Sequence, residues 1–454
     1  MPLLCLILLF YFVYLGNENR CRPKKEIDDD PVKLAFTYLE ESINGDTGSP
    51  ENLIQDTIDS PNRNLNYALA RYQAMAFSNE FERVLKSAVY TYDNALMLIA
   101  FLVRINQEDL IKAKFLADAM LYALDNDRYF TDGRLRNAYY RDDFVLLYGQ
   151  ESYINHGYVR MPGWWSKSDK NWLEDRYQVG TYTGNMAWAM LALLTYYEKV
   201  GGKKYLDAAL QLGEWIENHT RDMRGAGGYT GGYDGWERTP HNLEGQTKIM
   251  WKSTEHNIDV YVAFARLCSI TGKPIWLKRA LHAKKFVEKM WDVEERHFWT
   301  GTFEDGITIN KDNIPTDINT WSLMVLGDRY SDGMRWVENN CFTVTDGFKG
   351  FDFNNDRDGV WFEGTAHAVL AYKLLNEEQK AISNLRELER VQKEAKNADF
   401  KGIVAASHDG VSTGFDWRYY SRIHIGTTAW FIFAKLGYNP FWDIEITEPV
   451  PEYQ

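Results

Sequence analysis

The chain has 454 residues, of which 45% are apolar and 15% aromatic, and its formal net charge is −13. So apolar and aromatic a composition excludes a disordered chain. The negative charge argues against a general nucleic-acid binder, which needs a basic face for the phosphates. Length alone allows about three domains, so the first question is how that length is used.

Residues 3–15 form a run of 13 uncharged, strongly apolar positions. The run is too short for an ordinary transmembrane helix of about 20 residues, and it fits the apolar part of a secretory signal better. Its basic residues follow it rather than precede it, which leaves an uncleaved anchor with a cytoplasmic body open. We expect residues 1–25 to be a signal peptide or N-terminal membrane anchor, and the protein to be exported: secreted, periplasmic or membrane-anchored.

After residue 30, two kinds of apolar segment alternate along the chain. The first kind is apolar nearly all round, as in a helix that is buried on every side, and these segments begin near residues 93, 184, 255, 317, 363 and 426. The second kind has charges between apolar residues at helical spacing, which predicts amphipathic helices. These begin near residues 108, 203, 274, 337 and 377, and the segment from Asn64 can serve as the opening outer helix.

Six inner helices that alternate with six outer ones predict either an open solenoid or a closed ring. The spacings between the inner starts run from 46 to 91 residues, so the constant repeat of an open solenoid is missing. A closed ring tolerates this variation because the extra length goes into loops at one end. The pattern predicts an all-α fold, an (α/α)6 barrel, as one domain over residues 31–440, followed by a C-terminal tail over 441–454.

Each inner segment begins with a polar or small cluster, which helix capping explains in part. In a closed ring the inner helices run parallel, so all six starts open on the same end. Four acidic side chains would then face one central cavity: Asp93, Glu255, Asp317 and Glu363. The loops entering these starts are rich in Trp, Tyr, Gly and Arg, and loops at the end of a rigid scaffold are where function usually lies.

Aromatic rings beside carboxylates are typical of a sugar-binding cleft, although such rings can also simply pack loops onto the barrel. The candidates for binding a carbohydrate substrate are Tyr92, Trp164, Trp165, Tyr182, Asn185, Trp236, His256, Trp321, Trp361, Trp417 and Arg418. We expect no nucleic-acid partner, no membrane contact beyond an N-terminal anchor, and a monomer.

Metal chemistry finds little support in the sequence. Beyond the leader only Cys268 and Cys341 remain, too few for a disulfide framework or a zinc cluster, and we expect two buried thiols. One stretch has calcium-loop spacing at positions 1, 3, 5, 7 and 12: Asp352, Asn354, Asp356, Asp358 and Glu363. Arg357 replaces the turn glycine of such a loop, and a polar surface turn explains the string as well. We predict no metal and no cofactor.

The segments YTYDNAL, STEHN and WFEGTAH, together with the six acidic or polar helix starts, resemble the bacterial (α/α)6-barrel six-hairpin glycosidases. The resemblance covers roughly residues 60–435. It implies a glycoside hydrolase, and it implies inversion, because most six-hairpin hydrolases invert. The adjacent Asp-Asp pair of the α-1,6-mannanase-type members is missing from the inner helices, and Asp142-Asp143 stands in a predicted loop.

Glycoside hydrolysis needs two carboxyl groups that flank the bond, and an inverting pair lies about 6.5–9.5 Å apart. We predict Glu255 as the general acid, since His256 stands beside it, and Asp93 as the base, with Asp317 and Glu363 as the next choices. Three alternatives stay open: a polysaccharide lyase, which would use Tyr, His or Arg, a sugar epimerase, and a non-catalytic carbohydrate-binding protein.

Overall fold

The computed structural model describes residues 30–43, 88–140, 161–166, 168, 171–238 and 242–453, and the statements that follow concern these residues. They contain twelve α-helices: α1 (Pro31–Ser42), α2 (Thr91–Arg104), α3 (Gln107–Asp125), α4 (Thr183–Val200), α5 (Lys203–Thr220), α6 (Thr254–Thr271), α7 (Pro274–Lys289), α8 (Thr316–Leu326), α9 (Ser331–Asn340), α10 (Phe362–Leu374), α11 (Glu378–Glu394) and α12 (Ile425–Leu436). A single 3-10 turn, Asp328–Tyr330, joins α8 to α9.

The loops contain short strands of two to four residues, paired in antiparallel hairpins and small sheets. The first ten are β1 (Ala88–Tyr90), β2 (Ala138–Tyr140), β3 (Gly163–Ser166), β4 (Asn171–Glu174), β5 (Thr181–Tyr182), β6 (Gly232–Asp234), β7 (Thr247–Ile249), β8 (Lys252–Ser253), β9 (Trp291–Asp292) and β10 (His297–Phe298). The others are β11 (Gly301–Thr302), β12 (Ile309–Asn310), β13 (Phe342–Thr345), β14 (Phe348–Phe351), β15 (Ile403–Val404), β16 (Val411–Ser412), β17 (Arg418–Tyr419), β18 (Ile423–His424), β19 (Tyr438–Asn439) and β20 (Ile444–Glu445).

The inner ring consists of α2, α4, α6, α8, α10 and α12. Each of these helices contacts the next, and α12 contacts α2, so the ring is closed. Each inner helix also packs against an outer one: α3 on α2, α5 on α4, α7 on α6, α9 on α8, α11 on α10 and α1 on α12. The predicted (α/α)6 barrel is confirmed. The segment from Asn64 and the leader 1–25 lie outside the described residues.

The two helix types follow the two apolar patterns. In α4 every residue from Met186 to Tyr196 is buried, as expected of a helix surrounded by others. In α5 the buried positions recur at helical spacing, as a single stripe: Tyr205, Ala208, Ala209, Leu212, Trp215 and Ile216. Among the described residues, no helix has the length and apolar character that crossing a membrane requires. The two cysteines in the described ranges, Cys268 and Cys341, are free. Cys341 is buried as predicted, and the prediction of a buried thiol is wrong for Cys268, which is half-buried.

Residues after 440, which the sequence pattern assigned to a tail, pack against the barrel. Phe441 is fully buried, and its ring centroid lies 5.0 Å from that of Trp188 and 5.2 Å from that of Trp321. The Trp442 ring stacks on Tyr453 at 5.8 Å. This segment therefore covers one end of the inner ring, while the starts of the inner helices lie at the other end.

Four strands lead directly into inner helices and so fix where the first turns of those helices lie. Strand β1 precedes α2, β5 precedes α4, β8 precedes α6 and β18 precedes α12. β8 pairs with β11 through Ser253 and Gly301. Gly301 has φ 145°, and a Cβ there would lie 1.9 Å from the carbonyl oxygen of Lys252. Only glycine allows this close approach. The placement of Ser253, and of Glu255 two residues later, therefore depends on Gly301 in another loop.

Candidate active site

The starts of the inner helices enclose a cavity of about 580 Å³. Contacts across the ring confirm that these starts open on one end: Tyr92 at the start of α2 donates a hydrogen bond to Glu363 at the start of α10, at 2.8 Å. The first turn of α6 is capped by Ser253, whose Oγ accepts from the backbone N–H of His256. The free N–H groups of such helix starts favour negative charge nearby.

Three of the four predicted acids line the cavity: Glu255, Asp317 and Glu363. The Glu255 side chain is 31% exposed, and its Oε2 lies 4.0 Å from Nε2 of His256. The other two are nearly buried, with 8% of Asp317 and 3% of Glu363 exposed. Of these three acids, one is therefore open to solvent and two are shielded from it; the exposed Glu304 and Asp416 also line the cavity.

Shielding changes the protonation of these groups. Burial raises the pKa of Asp317 to about 7, although backbone N–H groups at the start of α8 favour its charged form. Burial also raises the pKa of Glu363 well above its usual value, helped by the negative charges of Asp93 and Asp317 and opposed by the hydrogen bond from Tyr92. Both groups are therefore able to hold a proton near neutral pH.

Asp93 lies differently from the prediction, because it does not face the cavity. It is fully buried, and its Oδ1 lies 2.9 Å from Nε2 of His424. Successive residues of a helix point about 100° apart. At the start of α2, the Tyr92 side chain points into the cavity, and the Asp93 side chain points toward the segment before α12. Asp93 is therefore not among the residues that line the cavity, and its role as the base stays a prediction.

A fifth carboxyl group, missed from the sequence, lies beneath the cavity. Asp259 is one helical turn after Glu255 on α6 and is fully buried. Burial, and then the charges of Glu255 and Asp317, raise its pKa well above the usual value; the Trp188 indole is close enough to oppose this slightly, without an ordinary hydrogen bond. The available signal in the sequence was an acidic residue inside a largely apolar inner segment, four positions after a candidate acid.

Most of the predicted sugar-binding residues line the cavity, namely Tyr92, Tyr182, Asn185, His256, Trp321 and Trp417. Trp361 does not, because it is buried in a stack with Tyr419 at 5.5 Å. Trp236 is 42% exposed and lies outside the cavity. Arg418 is exposed, and its guanidinium donates to the carbonyl oxygen of Gly410 at 2.8 Å. Trp164 and Trp165 belong to β3, and their side chains lie outside the described part of the chain.

Two aromatic walls enclose the acids. The first is made of Tyr177, Tyr182, Trp251 and His256, near the starts of α4 and α6; the Trp251 and His256 ring centroids are 5.6 Å apart. The second is made of Phe353, Phe415, Trp417 and Tyr419, which precede α10 and α12, and the ring centroids of Trp417 and Tyr419 are 4.9 Å apart. Since α4 and α6 lie across the ring from α10 and α12, the walls face each other.

The sequence analysis missed several wall residues: Tyr177, Trp251, Phe353, Phe415 and Tyr419. Each stands in a loop before an inner helix, and proximity to a helix start was the signal available. The directions of side chains in a loop do not alternate regularly along the sequence, however, so the sequence does not show which of them point into the cavity.

The calcium-like string does not form one loop. Glu363, its twelfth position, belongs to α10 and faces the cavity. The carboxylates of Asp352, Asp356 and Asp358 do lie together, with oxygens within 4.8 Å of one another. Burial and the neighbouring Asp356 raise the pKa of Asp352 to about 8. Asp352 Oδ1 accepts from the backbone N–H of Phe353 at 2.7 Å, in the turn before α10.

Comparison with known proteins identifies the fold. The sequence matches no protein-family model and no curated protein sequence. Among solved structures, a sugar epimerase from a ruminal bacterium is similar with a TM-score of 0.53 and 13% identity, over 89% of this chain and 99% of that one. A novel alpha-amylase from Clostridium perfringens has a TM-score of 0.54 and 10% identity, over 90% and 97% of the chains. A family 76 glycoside hydrolase from a bovine Bacteroides thetaiotaomicron strain has a TM-score of 0.50 and 12% identity, over 90% and 77%.

These structures belong to the (α/α)6-barrel glycosidase superfamily, so the predicted resemblance to that superfamily is confirmed at the level of fold. The similar structures include both hydrolases and epimerases. Because one fold supports several chemistries, the activity of this chain has to be argued from its own site.

Proposed function

We propose that this protein hydrolyses glycosidic bonds in an oligo- or polysaccharide, with Asp317 as the general acid and Glu255 as the general base. The observation that carries the proposal is the contrast between two carboxyl groups on one cavity: Asp317 is shielded, with a pKa raised to about 7, while Glu255 is open to the solvent of the cavity. A pair of acids in unlike surroundings is the usual basis for dividing acid and base roles.

These roles reverse the prediction for Glu255, and the reason is solvent access. A general acid must hold its proton at working pH, which burial favours. A general base must be able to contact the attacking water, which exposure favours. The start of α8 also suits the acid, since its backbone N–H groups stabilise the carboxylate that remains after the proton has left.

The reaction is a single displacement. Asp317 gives its carboxyl proton to the glycosidic oxygen as the bond from that oxygen to the anomeric carbon breaks. Water attacks the anomeric carbon from the opposite face, and Glu255 takes a proton from that water. Solvent then returns a proton to Asp317 and removes one from Glu255. Attack opposite the leaving group inverts the anomeric configuration, and the aromatic walls provide surfaces on which apolar sugar faces can stack.

The experiment begins with a panel of oligo- and polysaccharides, with analysis of the products. For a responsive sugar, Asp317→Asn should lose activity on the natural linkage but keep much of it on a dinitrophenyl glycoside, whose leaving group needs no proton. Glu255→Gln should lose activity on both, and azide should restore turnover as a glycosyl azide of inverted configuration. Asp312→Asn and Glu294→Gln, at exposed positions outside the cavity, are the matched controls.

Other products would contradict the hydrolase proposal and indicate a different activity. An unsaturated sugar that absorbs in the near ultraviolet would indicate a lyase, and an epimerised sugar with no bond cleaved would indicate an epimerase. Tight sugar binding without turnover, unchanged in both variants, would indicate a binding protein.

We also propose that residues 1–25 direct export, since polysaccharides are encountered outside the cytoplasm. Comparing cell fractions for the full chain with a chain that begins at residue 30 tests this. Recovery of both chains in the cytoplasm would contradict it.

A further inference from the structure

The hydrogen bonds around Glu363 have a fixed direction on its Oε1 side. The indole N–H of Trp430 donates to the Tyr92 hydroxyl oxygen at 2.9 Å. The Tyr92 hydroxyl in turn donates to Oε1 of Glu363 at 2.8 Å. Because an indole nitrogen can only donate, the Tyr92 proton is directed to Glu363. Oε1 is therefore an acceptor, and a proton on this carboxyl group belongs on Oε2.

His424 fixes the other side of the same carboxyl group. Its Nδ1 accepts from the backbone N–H of Thr427, as the cap of α12. Since a backbone N–H can only donate, Nδ1 has the lone pair and Nε2 has the proton. Nε2 lies 2.9 Å from Asp93 Oδ1 and donates to it. The same Nδ1 lies 2.9 Å from the Thr427 hydroxyl oxygen and 3.5 Å from Oε2 of Glu363, so the imidazole offers no proton to that carboxyl oxygen.

The close approach of these groups depends on Gly426 in the first turn of α12. A Cβ at this position would lie 2.7 Å from Cε1 of His424, 2.9 Å from Asp93 Oδ1 and 3.0 Å from Glu363 Oε2. These three side chains therefore converge on the backbone of one glycine. No larger residue fits without moving at least one of them.

Within the part of the chain that the structure describes, the ionisable groups that face Glu363 are acidic or neutral, although the hydrogen bonds from Tyr92 and Thr427 favour the charged form of Glu363. From α2 come Tyr92 and the negative charge of Asp93, and from α8 comes Asp317. From α10 itself comes His367, whose Nε2 is 3.9 Å from Oε1; burial lowers the His367 pKa well below its usual value. Burial likewise lowers the pKa of His424. A charged Glu363 would thus have two acidic neighbours and no cationic histidine.

We propose that Asp93 and His424 are positioning residues that keep Glu363 protonated, so that a neutral carboxyl group rather than a carboxylate lines the cavity where a sugar binds. The role toward a sugar rests on the proposed hydrolase function. The protonated state does not, because it follows from the contacts within the protein. In this arrangement Glu363 takes no part in proton transfer, and it adds no negative charge to the cavity next to the Asp317–Glu255 pair.

Infrared spectroscopy tests the protonated state without any substrate, because the C=O stretch of a protonated carboxyl group is separate from the carboxylate bands. At pH 7 the band of the full chain should lose a component in Glu363→Gln and keep it in the control Asp312→Asn. Asp93→Asn keeps an acceptor for His424 but removes the charge. The Glu363 component should then disappear about one pH unit or more lower than in the unchanged chain, as expected for the loss of a neighbouring charge.

Two results would overturn the proposal: a protonated-carboxyl band that is the same in Glu363→Gln, or a Glu363 component that titrates at the same pH in Asp93→Asn. The comparison with Glu363→Gln can be made even if the Asp93→Asn variant does not fold. With a responsive sugar, the rise of KM with pH should also move to lower pH in Asp93→Asn. If no glycoside reacts, the hydrolase proposal fails while the infrared result still decides the state of Glu363.

Discussion

Replacing Asp317 with Asn should stabilise the protein while removing its catalytic proton. In the folded chain the Asp317 pKa is raised to about 7 from its ordinary value of 3.8. The folded state therefore binds this proton more tightly than the unfolded state, and stability falls as pH rises between these two values. Asparagine has no charge, so the variant avoids the free-energy cost of burying a charged carboxylate.

The size of the effect follows from the shift. One pKa unit corresponds to about 1.36 kcal/mol. At pH 8, above both pKa values, the raised pKa of Asp317 lowers the free energy of unfolding by about 4 kcal/mol, and at pH 5 it lowers it by about 2 kcal/mol. An unfolding entropy of roughly 2.1 cal/mol/K per residue gives about 1 kcal/mol/K for this chain. Asp317→Asn should thus raise Tm by about 4 °C at pH 8 and by about 2 °C at pH 5.

Thermal unfolding of the two chains at both pH values, followed by circular dichroism, measures this. Asp312→Asn, an exposed change of the same chemistry, should shift Tm at neither pH. The reasoning is refuted if Asp317→Asn raises Tm equally at pH 5 and pH 8, because the gain would then have no link to ionisation. A lower Tm at pH 8 would show that the Asp317 carboxylate is stabilising in the folded state.

Three further predictions concern the same site. The pH profile of kcat/KM should fall above about pH 7, because Asp317 must be protonated to act; a profile flat to pH 9 would exclude Asp317 as the acid. Gly426→Ala should lower the free energy of unfolding by about 1–3 kcal/mol, as overpacking does, since its Cβ would meet three side chains within 3.0 Å; urea denaturation measures this, and an unchanged midpoint would contradict the packing. Trp251→Ala should raise KM about 2- to 10-fold with little change in kcat, the range expected for an aromatic contact; a loss confined to kcat would contradict a binding role.

The sequence was sufficient to predict the closed ring of helices, but not to predict which side chains face its interior. An inner helix that is apolar all round has to be surrounded, and six of them with amphipathic partners leave few arrangements. The starts of those helices were readable for the same reason, because capping residues and acids mark a helix start. That is why Glu255, Asp317 and Glu363 were found together.

The direction of each side chain was not readable. Asp93 and Tyr92 are adjacent in the sequence, yet only Tyr92 lines the cavity. The outcome depends on how α2 is rotated about its axis, and the packing of the whole ring sets that rotation. The same holds for Trp361 and Trp417, of which only Trp417 reaches the cavity. Asp259 was overlooked because its burial depends on neighbouring helices rather than on its own segment.

Two opposing effects act on every acid at this end of the barrel. Parallel inner helices bring their N-termini together, and the free N–H groups there favour negative charge. Burial and the closeness of other acids favour the neutral form. Glu255 is 31% exposed, whereas Glu363 and Asp259 are buried and their pKa values are raised mainly by that burial.

Asp317 lies between these extremes, with its pKa near 7. It is buried enough to hold a proton, and it is close enough to backbone N–H groups to release one. Because the depth in the ring sets the balance, we propose that a single barrel end supplies a base, an acid and a neutral polar group from carboxyl side chains alone. This ordering explains why five carboxyl groups can lie together without equivalent roles, and why Asp317 is the residue whose proton is most readily transferred near neutral pH.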